Sequence, residues 1–288
     1  MPSVIIPAHN EHAFIADCLR AIVAEGIPDL EIFVVPNACT DDTADLARSV
    51  EGPITVLETE TPGKTNAINL AEQHATRFPR LFLDGDIILQ PGALCAVFDA
   101  LGAGCEIASP RPIFETSKSD LRVTLFYRSL RANAYFNSGA PNGSGAFAVT
   151  EVGRSRWGAF PGIIADDGFV ELHFTEGEAR TAPGPGAIVW APRTFEGLMK
   201  IKARARLGQH ELRHKHPDLV ARRAPSPGRT FRRMLADPRL WPSIPVYAYV
   251  RLAERKAAAR IAKEQGYTGW LRDESARQPA SADGGATS

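Results

Sequence analysis

The chain has 288 residues, long enough for one large domain or two small ones with a sizeable core. Its hydrophobic content of 44% and charged content of 23% are those of an ordinary globular protein. Lys+Arg and Asp+Glu both number 33, so the net charge gives no sign of nucleic-acid binding, and we expect no nucleic-acid partner. Positive charge is concentrated locally, because residues 200–235 hold eleven Lys or Arg and only two acids.

The signals for cellular location favour a cytoplasmic protein. The four cysteines form no C-x-x-C pair and show no zinc-ligand spacing, so we expect them to be reduced and structural. The N-terminal residues form an apolar, strand-like run and lack the basic and long apolar regions of an export signal. No window approaches the ~20 apolar residues that a membrane-spanning helix needs.

Apolar runs and helical patterns alternate over the first hundred residues. The predicted strands are 3–7, 31–35, 54–57 and 81–83, and the predicted helices are 11–24, 43–49 and 64–78. Wholly apolar strands separated by helices predict a parallel sheet covered on both faces. Ligands of such sheets bind at the carboxyl ends of the strands, and the unusual polar clusters of this chain all follow strand ends.

The pattern is looser beyond residue 105. Strands are predicted at 106–109 and 146–149, and helices at 121–136 and 194–216; within 240–265, aromatic and apolar residues are followed by a basic helix. A Pro-, Ser- and Arg-rich stretch, 222–233, is interpreted as a linker, and the small polar residues 275–288 as a disordered tail.

Two carboxylates, Asp84 and Asp86, follow the fourth predicted strand with only Gly85 between them. Such a pair can reach one cation together, and its hard oxygen ligands suit Mg²⁺ or Mn²⁺, which commonly bridge to phosphates. The glycine lets a diphosphate approach the backbone. The alternative is a turn in which the aspartates cap backbone N–H groups.

Seven segments, in order, resemble the family 2 glycosyltransferases of the GT-A fold. They are 4–11 (VIIPAHNE), 34–43 (VVPNACTDDT), 62–70 (PGKTNAINL), 82–86 (FLDGD), 142–149 (NGSGAFAV), 165–168 (ADDG) and 204–208 (RARLG). The resemblance covers roughly residues 3–212 and implies a Rossmann-like, mostly parallel α/β sheet flanked by helices, with a C-terminal helical extension. It implies a catalytic domain over 1–215, with a nucleotide-binding half (1–105) and an acceptor-binding half (106–215), followed by the extension at 216–274.

The same resemblance implies roles for the residues of the first four segments. Asp84 would hold the ribose or sugar and share the metal, Mn²⁺ or Mg²⁺, with Asp86. Asn37 stands where the family usually has a base-contacting Asp, which leaves the identity of the base open because an amide can also donate. The other residues expected near the nucleotide sugar are Pro7, Ala8, Asn10, Glu11, Asp41, Gly63, Lys64 and Gly85. For Asp41, a helix cap is an equal alternative.

Adjacent carboxylates at Asp166 and Asp167 match the Glu-Asp pair of the family, whose second member is the general base. The resemblance therefore assigns the base to Asp167, with Asp166 as support, although adjacent aspartates leave a one-residue misassignment open. Two neighbouring carboxylates repel and raise one pKa, which suits a group that takes a hydroxyl proton. The alternative is a solvated acidic turn.

The basic segment 200–208 resembles the Gln-x-x-Arg-Trp region of the family, but Ala203 and Leu207 replace its Gln and Trp. That motif is associated with processive synthases, so its loss favours transfer of a single sugar. Arg206 and then Arg204 are the candidates for contacting the leaving diphosphate, and a solvated basic face is the alternative.

The segment 241–256 mixes Trp and Tyr with Arg and Lys. Such segments lie in membrane interfaces, so docking on the anionic inner face of the cell membrane is one interpretation. A helix packed on the catalytic domain is the other.

We therefore predict a metal-dependent inverting glycosyltransferase that moves one sugar, from a UDP-sugar by default, to a hydroxyl of a glycan or lipid-linked acceptor in polysaccharide or glycolipid synthesis. A P-loop is incomplete, since Glu58 occupies the place of its first Gly. A dehydrogenase would need G-x-G-x-x-G after the first strand. A sugar nucleotidyltransferase and a non-catalytic scaffold of the same fold remain alternatives.

Overall fold

The computed structural model describes residues 1–102, 104–133, 144–221 and 229–265. The strands are β1 (Ser3–Ala8), β2 (Glu31–Pro36), β3 (Ile54–Val56), β4 (Arg80–Leu83), β5 (Ile88–Leu89), β6 (Ile107–Glu115), β7 (Ala146–Val149) and β8 (Ala179–Trp190). The α-helices are α1 (Ile15–Val23), α2 (Thr43–Arg48), α3 (Lys64–Glu72), α4 (Ala93–Gly102), α5 (Leu121–Ser129), α6 (Glu151–Arg154), α7 (Asp166–Glu171), α8 (Phe195–Lys215), α9 (Pro217–Ala221), α10 (Arg229–Ala236) and α11 (Ile244–Gln265).

The described strands form one mixed sheet in the order β3-β2-β1-β4-β7-β6-β8-β5. The first four of these run parallel, as predicted, and the antiparallel β7 separates them from the parallel pair β6 and β8. Because β6 and β8 point the same way as β1 and β4, the carboxyl ends of all these strands meet at one edge.

Alternate residues of the central strands enter two different cores, which explains why the strands are apolar throughout. Val4 and Ile6 of β1 pack with α1 and α4 on one face of the sheet, in a core that includes Leu19 and Leu94. Ile5 lies on the other face, in a core that includes residues of α3, α7 and α8. The sheet with helices on both faces confirms the predicted α/β class.

The C-terminal segment lies along α8. Ala258 and Ile261 of α11 pack against Ala203 and Leu207 of α8. The predicted linker is partly wrong, because α10 begins at Arg229 and its Met234 is fully buried. Residues 222–228, the end of the predicted helix at 134–136, Asn142, Gly143 and the predicted tail lie outside the described residues. The proposed domain boundary at 215/216 stays a prediction.

Candidate active site

Lys64, the first residue of α3, joins the two carboxylate motifs. Its Nζ lies 2.7 Å from Asp84 Oδ1 and 2.9 Å from Asp166 Oδ2. Asp166 is 4% exposed, and Lys64 is the cation that pairs with this buried carboxyl group. We call Lys64, Asp84, Asp166 and Asp167 the lysine cluster. It lies at the edge where the carboxyl ends of the parallel strands meet, next to Pro7 of β1 and Phe82 of β4.

The lysine cluster holds more negative than positive charge. Burial opposes a charge on Lys64, but Asp166, Asp84 and Asp167 outweigh it and raise the pKa of the lysine. Burial and the neighbouring Asp166 raise the pKa of Asp167 to about 6, against the opposing effect of Lys64. Asp167 is therefore a carboxylate that can hold a proton near neutral pH.

Asp84 is tightly enclosed by the start of β7. Its N–H donates to the Gly145 carbonyl at 2.8 Å. Gly145 has φ +80°, and a Cβ there would lie 2.6 Å from Asp84 Oδ2. Only glycine leaves room for the carboxylate. A Cβ on Gly85, by contrast, would lie 3.4 Å from both Glu11 Cγ and Ile15 Cδ1. Gly85 therefore packs on the loop after β1.

The loops after β1 and β2 are tied to each other. Asn10 adopts φ +52°, its Nδ2 donates to Thr40 Oγ1 at 3.2 Å and its Oδ1 accepts from Thr40 N at 2.8 Å. Glu11 is 5% exposed, and its N–H donates to Thr43 Oγ1. Asn10 is not the helix cap that a simple strand-to-helix loop would have, because the cap position of α1 is Phe14.

The buried side chain of Asn37 links the end of β1 to the loop before α3. It is 2% exposed, its Nδ2 donates to the Ala8 carbonyl at 2.7 Å, and its Oδ1 accepts from Gly63 N at 3.2 Å. The side chain that we expected beside the nucleotide base thus holds Gly63, the residue before Lys64, against the end of β1.

The carboxylate of Asp41 also makes hydrogen bonds within the protein. Its Oδ1 accepts from Thr43 N at 3.1 Å and from Thr43 Oγ1 at 2.5 Å, and its Oδ2 lies 2.9 Å from His12 Nδ1. Burial opposes its charge, but these hydrogen bonds prevail and lower its pKa. The cap position of α2 itself is Asp42 rather than Asp41.

Helix α8 supports the loop that carries Asp166 and Asp167. Ile164 N donates to Glu211 Oε2 at 2.8 Å, and Glu211 is 1% exposed. A Cβ on Gly208 would lie 2.9 Å from Ala165 Cβ, so the glycine allows helix and loop to touch. The sequence motif at 204–208 did not reveal this role of Gly208, and Glu211 was counted only as one of two acids in a basic segment.

The two arginine candidates lie on different sides of α8. Arg204 precedes Gly208 by one turn and so shares the side that faces the Asp166 loop. Arg206 is turned towards α11: burial and the cations Arg213, Arg251 and Arg255 lower its pKa against the pull of Glu254. The order of preference given from sequence, Arg206 before Arg204, therefore has no support from this placement.

The carboxylates after β4 fit a hard divalent cation. Cys18 lies beneath them, and after burial the charges of Asp86, Glu11 and Asp84 raise the pKa of its thiol. Among the described residues, the cation that pairs with Asp84 is Lys64. The concentrated carboxylate oxygens form a donor set suited to Mg²⁺ or Mn²⁺. Within the described residues, the group of three side chains whose ligand atoms all lie within 4.8 Å of one another is His12, Asp41 and Asp42, and it does not include Asp84 or Asp86. A metal held by Asp84 and Asp86 would therefore take its other ligands from diphosphate or water oxygens.

Residues 3–152 match the family model "Glycosyl transferase family 2". The chain belongs to this family. The match includes Asn10, Asn37, Lys64 and Asp84 and ends before Asp166.

The relatives found by sequence are distant, and the chain spans less than half of their length. The 4,4'-diaponeurosporenoate glycosyltransferase of Staphylococcus aureus is 27% identical over 55% of this chain and 41% of its own. Glycosyltransferase AglE of Haloferax volcanii is 33% identical over 29% of this chain and 30% of its own.

Solved structures share the fold. The mannosyltransferase PcManGT of Pyrobaculum calidifontis, solved with GDP-Man and Mn²⁺, has a TM-score of 0.54 and 22% identity, covering 94% of this chain and 76% of its own. Glucosyl-3-phosphoglycerate synthase of Mycobacterium tuberculosis, solved with Mn²⁺, UDP-glucose and phosphoglyceric acid, has a TM-score of 0.52 and 17% identity, covering 74% of this chain and 79% of its own. These structures confirm the GT-A fold. Among the described helices, none is long and apolar enough to cross a membrane.

Proposed function

We propose that this chain transfers one sugar from a nucleotide-diphosphate sugar to an acceptor hydroxyl with inversion at the anomeric carbon. The observation that carries the proposal is the lysine cluster, in which Lys64 brings the Asp84 motif and the Asp166–Asp167 motif together. A non-catalytic scaffold needs neither the buried carboxylate nor its neighbour with a raised pKa.

Asp167 is the proposed base. It takes the proton of the acceptor hydroxyl, whose oxygen bonds to the anomeric carbon as the bond from that carbon to the diphosphate breaks. The electron pair of the broken bond leaves with the diphosphate, and a single displacement of this kind inverts the configuration. A pKa near 6 leaves Asp167 ionised at pH 7 yet basic enough to accept a proton.

Asp86 and Asp84 are the residues that would hold Mn²⁺ or Mg²⁺. When bound, the cation supplies positive charge to the diphosphate. Lys64 adds a second positive charge next to Asp84, and Arg204 is favoured over Arg206 for the departing group because it lies on the loop-facing side of α8. Gly63, held by Asn37, presents its backbone beside the nucleotide.

UDP is the default nucleotide by family frequency. Asn37 does not select the base, because both ends of its amide are engaged within the protein, so the identity of the base stays open. The proposed acceptor is a glycan or a lipid-linked sugar, and the proposed biology is polysaccharide or glycolipid assembly. This assignment rests on family analogy alone.

A second proposal concerns a membrane surface. Phe231, Leu235 and Trp241 are 44%, 51% and 56% exposed, and Trp241 Nε1 donates to the Leu235 carbonyl, so two of them are in contact. The exposed cations around them are Arg232, Arg233 and Arg239. Exposed apolar side chains with arginines beside them in the chain suit the interface of an anionic bilayer, as on the inner face of the cell membrane.

Liposome pelleting tests this second proposal. We expect the protein to pellet with vesicles containing phosphatidylserine, to be released by high salt, and to lose binding on Trp241→Ser. Val152→Ser, which removes a side chain that is 63% exposed elsewhere, is the matched control and should pellet normally. Pelleting that is absent, or equal in Trp241→Ser, would refute membrane docking.

A thermal-shift screen tests the main proposal. UDP, GDP, CDP, ADP and dTDP are each added with and without Mn²⁺, since a ligand that binds only the folded state raises the melting temperature. We expect one nucleotide to act, only with metal, and Asp86→Ala to abolish the shift while Asp218→Asn, an exposed aspartate on α9, keeps it. No shift with any nucleotide would favour the scaffold.

A further inference from the structure

A shallow cavity opens at the carboxyl ends of β6 and β8. Its empty space of about 250 Å³ is mostly open solvent. Its lining residues are Glu115, Ser117, Lys118, Trp190, Ala191 and Arg193. None of these residues belongs to the motifs that predicted the function.

The pairing of the strands places this cavity near the loop after β1. β5, which begins two residues after Asp86, pairs with β8 antiparallel, with Ile88 opposite Ile188. On the other side of β8, Glu115 of β6 is paired with Trp190. The indole also stacks on Phe14, at 5.5 Å between ring centroids, and the N–H of Phe14 donates to the Glu11 carbonyl at 2.9 Å. Through Trp190 and Phe14, the cavity therefore adjoins the loop that carries Glu11.

Trp190 offers an apolar ring to the cavity. Its Nε1 is buried, and within the described part of the chain no hydrogen-bond partner reaches it. Because this nitrogen is closed off from solvent, a ligand in the cavity would contact the ring of Trp190 rather than its N–H.

The rim of the cavity is charged on two sides. Lys118 and Arg193 provide the cations. Glu115 accepts a hydrogen bond from Ser117 N at 2.7 Å, and this contact, aided by Lys118, lowers its pKa, so it stays ionised and can accept from a hydroxyl. An aromatic wall, two cations and one acceptor match a ring with hydroxyl groups and an anionic substituent.

We propose that this cavity is the acceptor subsite, and that it takes a sugar or polyol carrying a phosphate or carboxylate group. The ring lies on Trp190, the anionic group meets Lys118 and Arg193, and a hydroxyl donates to Glu115. The assignment as an acceptor subsite rests on the proposed transferase function. It narrows the acceptor from any hydroxyl compound to an anionic one.

Titration of the full chain, with UDP or the active nucleotide and Mn²⁺ present, tests the proposal through tryptophan fluorescence. The probes are glucose 6-phosphate, glucuronate and neutral glucose, which separate phosphate, carboxylate and uncharged ligands. We expect a saturable change with at least one anionic probe, at least tenfold weaker binding in Arg193→Gln, and loss of the change in Trp190→Phe. Arg20→Gln, an exposed arginine of α1, should bind like the wild type.

Three results would overturn the proposal. They are the absence of a saturable change with both anionic probes, equal binding of glucose, and undiminished binding in Arg193→Gln. The nucleotide screen separates the two hypotheses: a metal-dependent nucleotide shift without anionic-probe binding refutes the acceptor subsite and leaves the transferase standing. Probe binding without any nucleotide shift refutes the transferase, and with it the assignment of the cavity as an acceptor subsite. Melting temperatures of the variants confirm that they are folded.

Discussion

Two partly buried charge clusters in this protein differ in the sign of their excess charge: carboxylates outnumber cations in one, and cations outnumber carboxylates in the other. In the lysine cluster one cation is surrounded by three carboxylates, and attraction prevails over burial, so the pKa of Lys64 is raised. In the second, which we call the Glu254 cluster, one carboxylate faces Arg251, Lys202, Arg206 and Arg255. There burial prevails, since the pKa of Glu254 is raised in spite of the cations and that of Lys202 is lowered to about 8.

The difference follows from the position of each cluster. The lysine cluster lies at the carboxyl edge of the sheet, where a ligand can approach, and its surplus negative charge suits a metal and a proton acceptor. The Glu254 cluster lies between α8 and α11, and Lys202 Nζ is 5.2 Å from the centre of the Phe126 ring. Lys202, part of the basic segment 200–208, thus lies against an aromatic ring rather than on a solvated basic face. We propose that the first imbalance serves chemistry, whereas the second is a cost of packing α11 on α8.

The largest effect is expected from Asp167→Asn. The amide cannot take a proton, so turnover should fall about 10²–10⁴-fold. Sugar transfer measured by released nucleotide diphosphate checks this, and the thermal shift by nucleotide and metal should be retained. Asp218→Asn is the control and should transfer normally. If Asp167→Asn is active and Asp166→Asn is not, the base is the neighbouring residue.

The pH dependence of transfer sharpens the same assignment. A base must be ionised, and the pKa of Asp167 is raised to about 6, so kcat/KM should fall as the pH drops below about 6. The fall should approach tenfold per pH unit for a single group. A profile flat from pH 5 to 8 would remove Asp167 from the scheme.

Lys64→Met breaks the lysine cluster. It leaves Asp166 buried without its cation, so the free energy of unfolding at pH 7 should fall by about 3 kcal/mol. Chemical denaturation measures the change. Arg20→Met is the matched control: it breaks the pair with Asp17, in which both side chains are 63% exposed, and should cost less than about 1 kcal/mol. Equal losses in the two variants would mean that burial does not set the strength of the cluster.

The regular first half of the fold was predictable because each strand and helix is encoded locally. Apolar runs located β1 to β4, and the predicted bounds of β7, 146–149, are those observed. Placing Lys64 and Asp84 after strand ends required only the rule that such ends meet. The ion pairs from Lys64 to both carboxylates were not predictable, because they depend on how α3 and the loop before α7 face each other.

Strand β8 was not predictable from the sequence pattern. Its Pro183, Gly184 and Pro185 resemble a loop, yet the strand pairs with β6 on both sides of a register shift between Ser109 and Arg111. A Cβ on Gly186 would lie 2.3 Å from the Arg111 carbonyl, so the glycine permits close approach of the strands. The Trp190 cavity was missed for this reason: its residues come together only through β8.

Asn37→Asp adds a carboxylate beside the lysine cluster. Asp cannot donate to the Ala8 carbonyl, which keeps its bond from the backbone N–H of residue 37 but loses the side-chain bond and faces a new negative charge. We expect a loss of about 2 kcal/mol in stability, measured by chemical denaturation. Nucleotide binding should weaken as Gly63 loses its anchor. Asn66→Asp, at the exposed first turn of α3, is the control. Unchanged stability in Asn37→Asp would show that the side-chain hydrogen bonds of Asn37 do not stabilise the fold.

The smallest effect is expected in the Glu254 cluster, from Lys202→Met. The folded protein lowers the pKa of Lys202 to about 8, so folding disfavours the charged amine, and this cost is present below pH 8 and disappears as the pH rises towards the unfolded value near 10.5. Methionine keeps the apolar contact with the Phe126 ring and removes the charge. The variant should be about 1 kcal/mol more stable than the wild type at pH 7, with the gain vanishing by about pH 10. Lys200→Met, which breaks an exposed pair with Glu196, should show no such pH-dependent gain. A destabilised Lys202→Met variant would mean that attraction to Glu254 outweighs burial, and the two clusters would then obey the same balance.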